Sequence, residues 1–402
     1  MRVLLGVSAG IAAYKSAQIV REFVKRGDEV RAVMTEGAQE FITPMTLQVL
    51  SENRVGTEVF DPTYESEIGH IDLARWADVV LVAPATADLI ARLAGGMGDD
   101  LLTTGVLATE SSVVVAPAMN TQMWRHPLVQ KNCRILEQEA GYRVVDPEAG
   151  ELACKEVGPG RMPDPAVLLE ESLAAIAPQI LEGSRVVVTA GPTREHLDPV
   201  RLLTNPSTGK MGYAIAKVAR RLGAEVALIS GPTDLPAPMG VEVIEVESAR
   251  EMCEAVFQRA KSADFVCKAA AVCDWRPVEA SDEKIAKGEM TGSLEMERNR
   301  DILAELGERF GPGGERGPVL IGFAAETHDI VERAKRKLAD KNAHLLVANK
   351  VGGADSTFGS DSVRAHILTE SGSTTEYGPL AKDELAEHIW RQAASYSKSR
   401  GQ

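Results

Sequence analysis

The sequence predicts an α/β protein of two doubly wound domains, and three observations predict it. Short apolar runs alternate with helical patterns along the whole chain, which is how βαβ units and parallel sheets read. The pattern restarts near residue 184: Lys25-Arg26-Gly27-Asp28-Glu29-Val30 is echoed by Arg221-Leu222-Gly223-Ala224-Glu225-Val226. The chain has 402 residues, room for two or three domains that each bury a core. Glu182-Gly183-Ser184 is the expected boundary, giving domains at 1–183 and 184–402.

Taken in order, residues 2–7 read as a strand, Ser8-Ala9-Gly10 as a turn and 11–26 as a helix capped by Gly27. Residues 29–34 are the next strand. Further strands fall near 79–83, 112–116 and 143–145. From 146 to 164 the pattern breaks on Pro147, Gly150, Gly158, Pro159, Gly160 and Pro163. Such a stretch predicts a long irregular loop, of the kind that often carries function. Helical character resumes over 165–181. In the second half, 185–189 is a strand, 211–222 a helix and 225–230 a strand. More strands follow at 241–246, 264–269, 319–324, 344–348 and 363–368. Gly311-Pro312-Gly313-Gly314 reads as a flexible loop and 395–402 as a frayed polar end.

Net charge is -14, which argues against non-specific nucleic-acid binding but leaves room for a local basic site. No apolar run approaches the ~18 residues of a membrane span, and the first residues lack the pattern of a signal peptide. The expectation is a cytoplasmic protein. Five cysteines without a Cys-x-x-Cys pair read as reduced thiols.

In the first half, Ser8-Ala9-Gly10-Ile11-Ala12-Ala13-Tyr14-Lys15 places a tight turn at a helix start, where backbone N–H groups favour a phosphate. Thr35, at the next strand end, is a second hydroxyl for that phosphate. The Gly-x-Gly-x-x-Gly dinucleotide fingerprint is absent. Two more strands end in small-residue turns, Pro84-Ala85-Thr86-Ala87-Asp88 and Pro117-Ala118-Met119-Asn120, with His70 and Asp72 upstream. Ligands bind outside the carboxyl ends of parallel strands. Met119 and Asn120 sit in such a turn, where the amide serves a ligand carboxylate, a flavin edge or simply the turn itself. Cys154 lies in the glycine-rich loop beside Lys155 and near Arg161, a setting that favours the thiolate.

This set resembles the flavin-dependent cysteine decarboxylases, over about 160 residues. The resemblance implies a flavodoxin-like FMN domain, with FMN held by Ser8, Gly10, Ile11, Thr35, Ala85, Thr86 and Met119. It implies that His70 is the catalytic base, that Asn120 binds the substrate carboxylate and that Cys154 returns a proton after flavin-driven decarboxylation. One departure is Lys155, where the family has Gly after this cysteine.

In the second half, Asn205-Pro206-Ser207-Thr208-Gly209-Lys210-Met211-Gly212 fails as a Walker A motif, because Thr204 and Met211 stand where Gly and Ser/Thr are needed. It remains a polar turn opening a helix and suits an anion. Asp274 ends an apolar strand and reads as a ligand for a ribose, a base or a metal. Lys284 reads from composition as a surface lysine. Arg333, Lys337 and Lys341 recur every four residues, either a solvated helix face or a triphosphate clamp.

Together these motifs resemble the phosphopantothenate–cysteine ligase domain, and the whole chain resembles the bifunctional bacterial coenzyme A biosynthesis proteins. The resemblance implies a C-terminal Rossmann-like nucleotide-binding domain. There CTP would meet Asp274, Lys284, Arg300, Asp301, Ile302, Leu303, Phe323, Lys337 and Lys341. Asn205 and Arg201 would handle the acyl-cytidylate. Mg2+ or Mn2+ would assist, with ligands unknown. The implied substrates are 4′-phosphopantothenate, L-cysteine and CTP. The implied assembly is a homo-oligomer, with a trimer-based decarboxylase and a dimeric ligase. Two other classes compete: an FMN-binding regulatory protein without catalysis, and a nicotinamide-dependent oxidoreductase. The His70, Asn120 and Cys154 set speaks against the first, and the missing glycine fingerprint against the second.

Overall fold

The computed structural model describes residues 1–58, 69–152, 156–286, 293–350 and 362–400. The chain divides into two compact units, Met1–Ala177 and Pro178–Gln402.

The first unit is built on a parallel sheet of β1 (Arg2–Val7), β2 (Glu29–Met34), β3 (Val79–Ala85), β4 (Ser112–Pro117) and β5 (Arg143–Val144), in the order β2-β1-β3-β4-β5. That order is the flavodoxin-like arrangement, whose strand order reverses between β1 and β3. Successive strand side chains point to opposite faces. Val3, Leu5, Val7, Leu81 and Ala83 therefore pack with Ile19, Phe23 and Leu168. Leu4, Val80, Val82, Val113 and Val115 pack with Leu89, Leu102 and Cys133 on the other face. With helices on both faces, β3 is buried at every position, as continuous apolar runs in parallel sheets predict.

The second unit contains β8 (Arg185–Ala190), β11 (Glu225–Ser230), β12 (Glu242–Glu245), β13 (Phe265–Lys268), β16 (Val319–Glu326), β17 (Leu345–Lys350), β18 (Ser362–Thr369) and β19 (Thr374–Ala381). Its sheet order is β12-β11-β8-β13-β16-β17-β18-β19, with β18 and β19 antiparallel. The first six follow the dinucleotide-fold order, which reverses between β8 and β13. Two small antiparallel hairpins lie outside this sheet: β9 (Arg194–His196) with β10 (Leu202–Thr204), and β14 (Trp275–Pro277) with β15 (Met296–Arg298).

Several expectations need correction. The helix expected over 11–26 opens as a 3-10 turn, Ile11–Lys15, and becomes α-helical only at Ser16–Lys25. The irregular loop at 146–164 instead contains a hairpin of β6 (Glu148–Glu151) and β7 (Val157–Arg161). Its Gly-Pro-Gly run hides the strand, because the glycines are there for close contact, not for turning. A Cβ on Gly160, at φ +144, would stand 2.2 Å from the Met119 carbonyl oxygen, and one on Gly158 2.7 Å from Thr121 Oγ1. The following helix is shorter than expected, Pro165–Ile176. The end expected to fray continues the helix Lys382–Arg400 through residue 400, where Tyr396 packs at a tilt against buried His344. β19 went unread because Gly378-Pro379 interrupts it, and proline is tolerated there as on other edge strands.

Candidate active sites

In the first unit the carboxyl ends of β1 and β3 are tied together through Ser8, which is 2% exposed. Its hydroxyl donates to the Pro84 carbonyl at 2.8 Å and accepts the Thr86 N–H at 3.1 Å. Thr86 also caps the helix Ala87–Ala94 by accepting the Leu89 N–H. Thr35 joins the group through its N–H, which donates to the Val7 carbonyl at 3.0 Å. Its Oγ1 is buried and has no partner among the described residues. An orphaned hydroxyl there is costly unless something accepts or donates to it. Gly10 lies against this turn, next to the Thr86 methyl, while Ile11 projects outward. The sheet thus gathers Ser8, Gly10, Thr35, Ala85 and Thr86 at its switch point. Their chemistry, hydroxyls and backbone N–H groups around a helix start, fits the phosphate of a flavin mononucleotide.

Met119 and Asn120 are brought alongside by one hydrogen bond, Ala118 N–H to the Ala85 carbonyl at 2.9 Å. The hairpin holds them from the other side, with Met119 N–H donating to the Gly160 carbonyl at 3.0 Å. Asn120 does what the turn-stabilising alternative predicts: its Oδ1 accepts the Gln122 N–H at 2.7 Å, capping the helix Thr121–Arg125. Its Nδ2 is aimed away and donates to the Glu156 carboxylate at 2.7 Å. His70 opens the helix His70–Trp76; its side chain lies outside what is described, and so does Cys154 with Lys155.

In the second unit a cavity of about 510 Å³ lies at the carboxyl ends of the strands. Asn205, Asp274, Phe323 and Lys337 line it, together with Lys210 and the Ala269–Val272 turn. The Asn205 amide donates both N–H bonds to the carbonyls of Ala271 and Val272, at 3.2 and 3.1 Å. Its Oδ1 is the atom left for chemistry. Arg201, Lys284, Arg300, Asp301, Ile302, Leu303 and Lys341 are not on the cavity wall. Arg300 pairs with Glu305. Asp301 pairs with Lys341 and caps the helix Ile302–Phe310, while Ile302 and Leu303 are core residues. Within the basic row, Arg333 pairs with Glu326 and Lys341 with Asp301, while Lys337 lines the cavity.

Sequence reasoning assigned no role to three residues that shape this region. Asn299 accepts from Arg276 and donates to the Cys273 carbonyl at 2.9 Å, fastening the Arg300 turn to the Asp274 turn. Asp198 is 1% exposed and ties two loops together; its place before Pro199, a turn-starting pair, was the available signal. Lys268 is 8% exposed at the end of β13. Its Nζ reaches only Met252 Sδ, at 3.8 Å, among the described residues, and burial pushes its pKa down to about 8. Burial likewise raises the thiols of Cys133, Cys253, Cys267 and Cys273, all buried and in no disulfide. Among the described residues no three His, Cys, Asp or Glu side chains could hold a metal ion, and no helix is long and apolar enough to cross a membrane.

Comparison with known proteins accounts for both units. Residues 1–177 match the flavoprotein family, and 181–396 match the DNA/pantothenate metabolism flavoprotein C-terminal domain. The coenzyme A biosynthesis bifunctional protein CoaBC of Vibrio cholerae is 48% identical over 391 residues, covering 96% of each chain. That of Bacillus subtilis is 45% identical over 404 residues, covering 100% of this chain and 98% of its own. A crystal structure of the C-terminal domain of a CoaBC protein is 42% identical and covers 55% of this chain and 99% of its own, at a TM-score of 0.47. The chain belongs to the bifunctional coenzyme A biosynthesis proteins, which join a decarboxylase and a ligase in one polypeptide.

Proposed function

We propose that the second half, residues 184–402, joins L-cysteine to 4′-phosphopantothenate at the expense of CTP, through an acyl-cytidylate. The first half, residues 1–183, then decarboxylates the product with FMN to give 4′-phosphopantetheine. The observation that carries the flavin half is the buried Thr35 hydroxyl, without a partner among the described residues, at the strand end that its N–H ties to Val7, next to Ser8. It fits a phosphate acceptor and is hard to account for otherwise. FMN, once bound there, would take two electrons from the substrate's cysteinyl thiol and later return them, the thioaldehyde so formed being the electron sink that the loss of CO2 requires.

The chain's own residues do the rest in this reading. His70 takes a proton as base. Asn120 holds the departing carboxylate with Nδ2, and its present bond to the Glu156 carboxylate supports an amide turned to receive such a group. Cys154 returns a proton at the end. In the ligase half, the cavity lined by Lys210, Asp274, Phe323 and Lys337 takes the nucleotide, and Asn205 presents Oδ1 beside it. Lysines and a divalent ion, Mg2+ or Mn2+ carried largely by the phosphates, neutralise the triphosphate. Arg300, Asp301, Ile302, Leu303 and Lys341 are off the cavity wall, and contact between them and CTP rests on the family resemblance. The enzyme works in the cytoplasm as a homo-oligomer.

The test is a coupling assay on purified protein. It should carry a flavin spectrum and convert cysteine and 4′-phosphopantothenate to product only when CTP and a divalent ion are present. Cys154→Ser should halt decarboxylation and leave ligation intact. A colourless protein that couples with neither CTP nor ATP overturns the reading.

A further inference from the structure

Lys284 stands on an exposed loop, yet the residue after it is fastened to a buried carboxylate, and the loop's start to the backbone beside that carboxylate. The Oδ1 of Asp198 accepts the N–H groups of Val200 and Arg201, at 2.8 and 2.7 Å. Its Oδ2 accepts Arg201 Nη1 at 3.0 Å and the Ile285 N–H at 3.3 Å. Arg201 Nη1 also donates to the Ile285 carbonyl at 3.2 Å. One residue upstream of Asp198, the Leu197 carbonyl accepts the Ser281 N–H at 3.0 Å. Within the loop the Ser281 hydroxyl donates to the Glu283 carbonyl at 2.6 Å. Both polar backbone groups of the residue after Lys284 are therefore held by the Asp198–Arg201 pair, and the loop's start is held by Leu197.

A surface lysine needs no such anchorage. Burial alone would raise the Asp198 carboxyl, but the N–H groups of Val200, Arg201 and Ile285 and the charge of Arg201 outweigh it and hold it below the usual carboxylate range. The clamp is thus ionised and stays locked at neutral pH. A lysine is a point charge on a flexible stem, so its placement depends on the backbone beneath it.

We propose that Asp198 is a positioning residue of the ligase, which fixes the backbone of Lys284 so that its ammonium meets the nucleotide's phosphates or the acyl adduct. Arg201 then belongs to the same clamp, acting through Ile285 and not by touching substrate. The proposal deepens the CTP-ligase reading and rests on it.

Two readouts separate the clamp from that reading. The first needs no substrate: trypsin cleavage after Lys284, followed by mass spectrometry on the full chain. Asp198→Asn should speed that cleavage by about tenfold or more, since it loosens the segment without exposing a new site; an unchanged rate overturns the clamp. The second is a double-mutant cycle on CTP-dependent ligation, with decarboxylation of supplied substrate as the control for an intact chain. Lys284→Ala and Asp198→Asn should each lower kcat/KM for CTP by about tenfold or more, as misplaced catalytic groups do. The double variant should be no worse than Lys284→Ala alone. Losses that multiply mean that Asp198 acts elsewhere and overturn the proposal. Faster cleavage with no effect of Lys284→Ala on ligation overturns it too, and places the fault in the nucleotide reading. If Asp198→Asn fails to fold, Arg201→Gln enters the same cycle and cleavage assay and decides by the same outcomes.

Discussion

His344 offers the cleanest test of how burial controls this fold. It is 0% exposed, just before β17. Its Nδ1 accepts the Leu320 N–H at 2.9 Å, so the neutral ring carries its proton on Nε2, which is buried without a partner among the described residues. A second proton would have to sit on Nδ1, facing another donor. Burial, helped by the charge of Arg400, pushes the pKa from 6.5 to about 4. The sign follows from linkage. Below pH 6.5 the unfolded chain takes up a proton that the folded chain refuses until about pH 4. Stability from this group is therefore full above pH 6.5 and is lost as pH falls through the 6.5 to 4 window. A gap of about 2.5 pH units at ~1.36 kcal/mol each gives about 3 kcal/mol. His344→Asn keeps an acceptor for Leu320 but does not titrate. The assay is urea unfolding, followed by fluorescence of buried Trp390 in a chain whose Trp76, Trp124 and Trp275 are replaced by Phe. Between pH 7 and pH 4 the parent should lose about 3 kcal/mol more than the His344→Asn chain. Equal losses in the two would refute the argument.

Three further outcomes are expected. Lys268→Met should raise stability at pH 7 by up to about 3 kcal/mol, because the buried ammonium bonds no carboxylate among the described residues, the charge of Asp301 does not offset its burial, and its folded pKa of about 8 leaves the charge under strain below that pH. In urea melts the gain should vanish as pH rises from 8 towards 10.5, and a less stable variant would show that the ammonium helps the fold. Gly160→Ala should displace the hairpin from the Met119 turn, since its Cβ would stand 2.2 Å from the Met119 oxygen. Decarboxylation should fall by about 10²-fold while ligation persists, and unchanged decarboxylation would contradict the packing. Thr35→Val should weaken FMN binding by about tenfold, the worth of one hydrogen bond to a charged group. An unchanged dissociation constant in a flavin titration would remove Thr35 from the site.

Much of this was legible in the sequence. The parallel strands of both units announced themselves as apolar runs, because a strand covered on both faces must be apolar throughout. The turns at Ser8, Thr35 and Thr86 could be read as a candidate site because strand ends of such sheets face the ligand crevice. β6, β7, β9, β10, β14, β15 and β19 were not legible. They are short and hold their places by contacts that leave no period: Gly158 and Gly160 against Thr121 and Met119, or Asn299 against the Cys273 carbonyl.

By itself, then, the sequence determined two doubly wound units and the strand ends at which their chemistry sits, since hydrophobic periodicity is a local property. Only the tertiary structure decided which polar side chains are free to act. It committed both N–H bonds of Asn205 to backbone carbonyls and Arg201 to Asp198, left the Thr35 hydroxyl without a partner among the described residues, and buried Lys268 and His344. Those outcomes depend on partners brought from distant positions, and on a desolvation cost that exists only once the chain has closed around them.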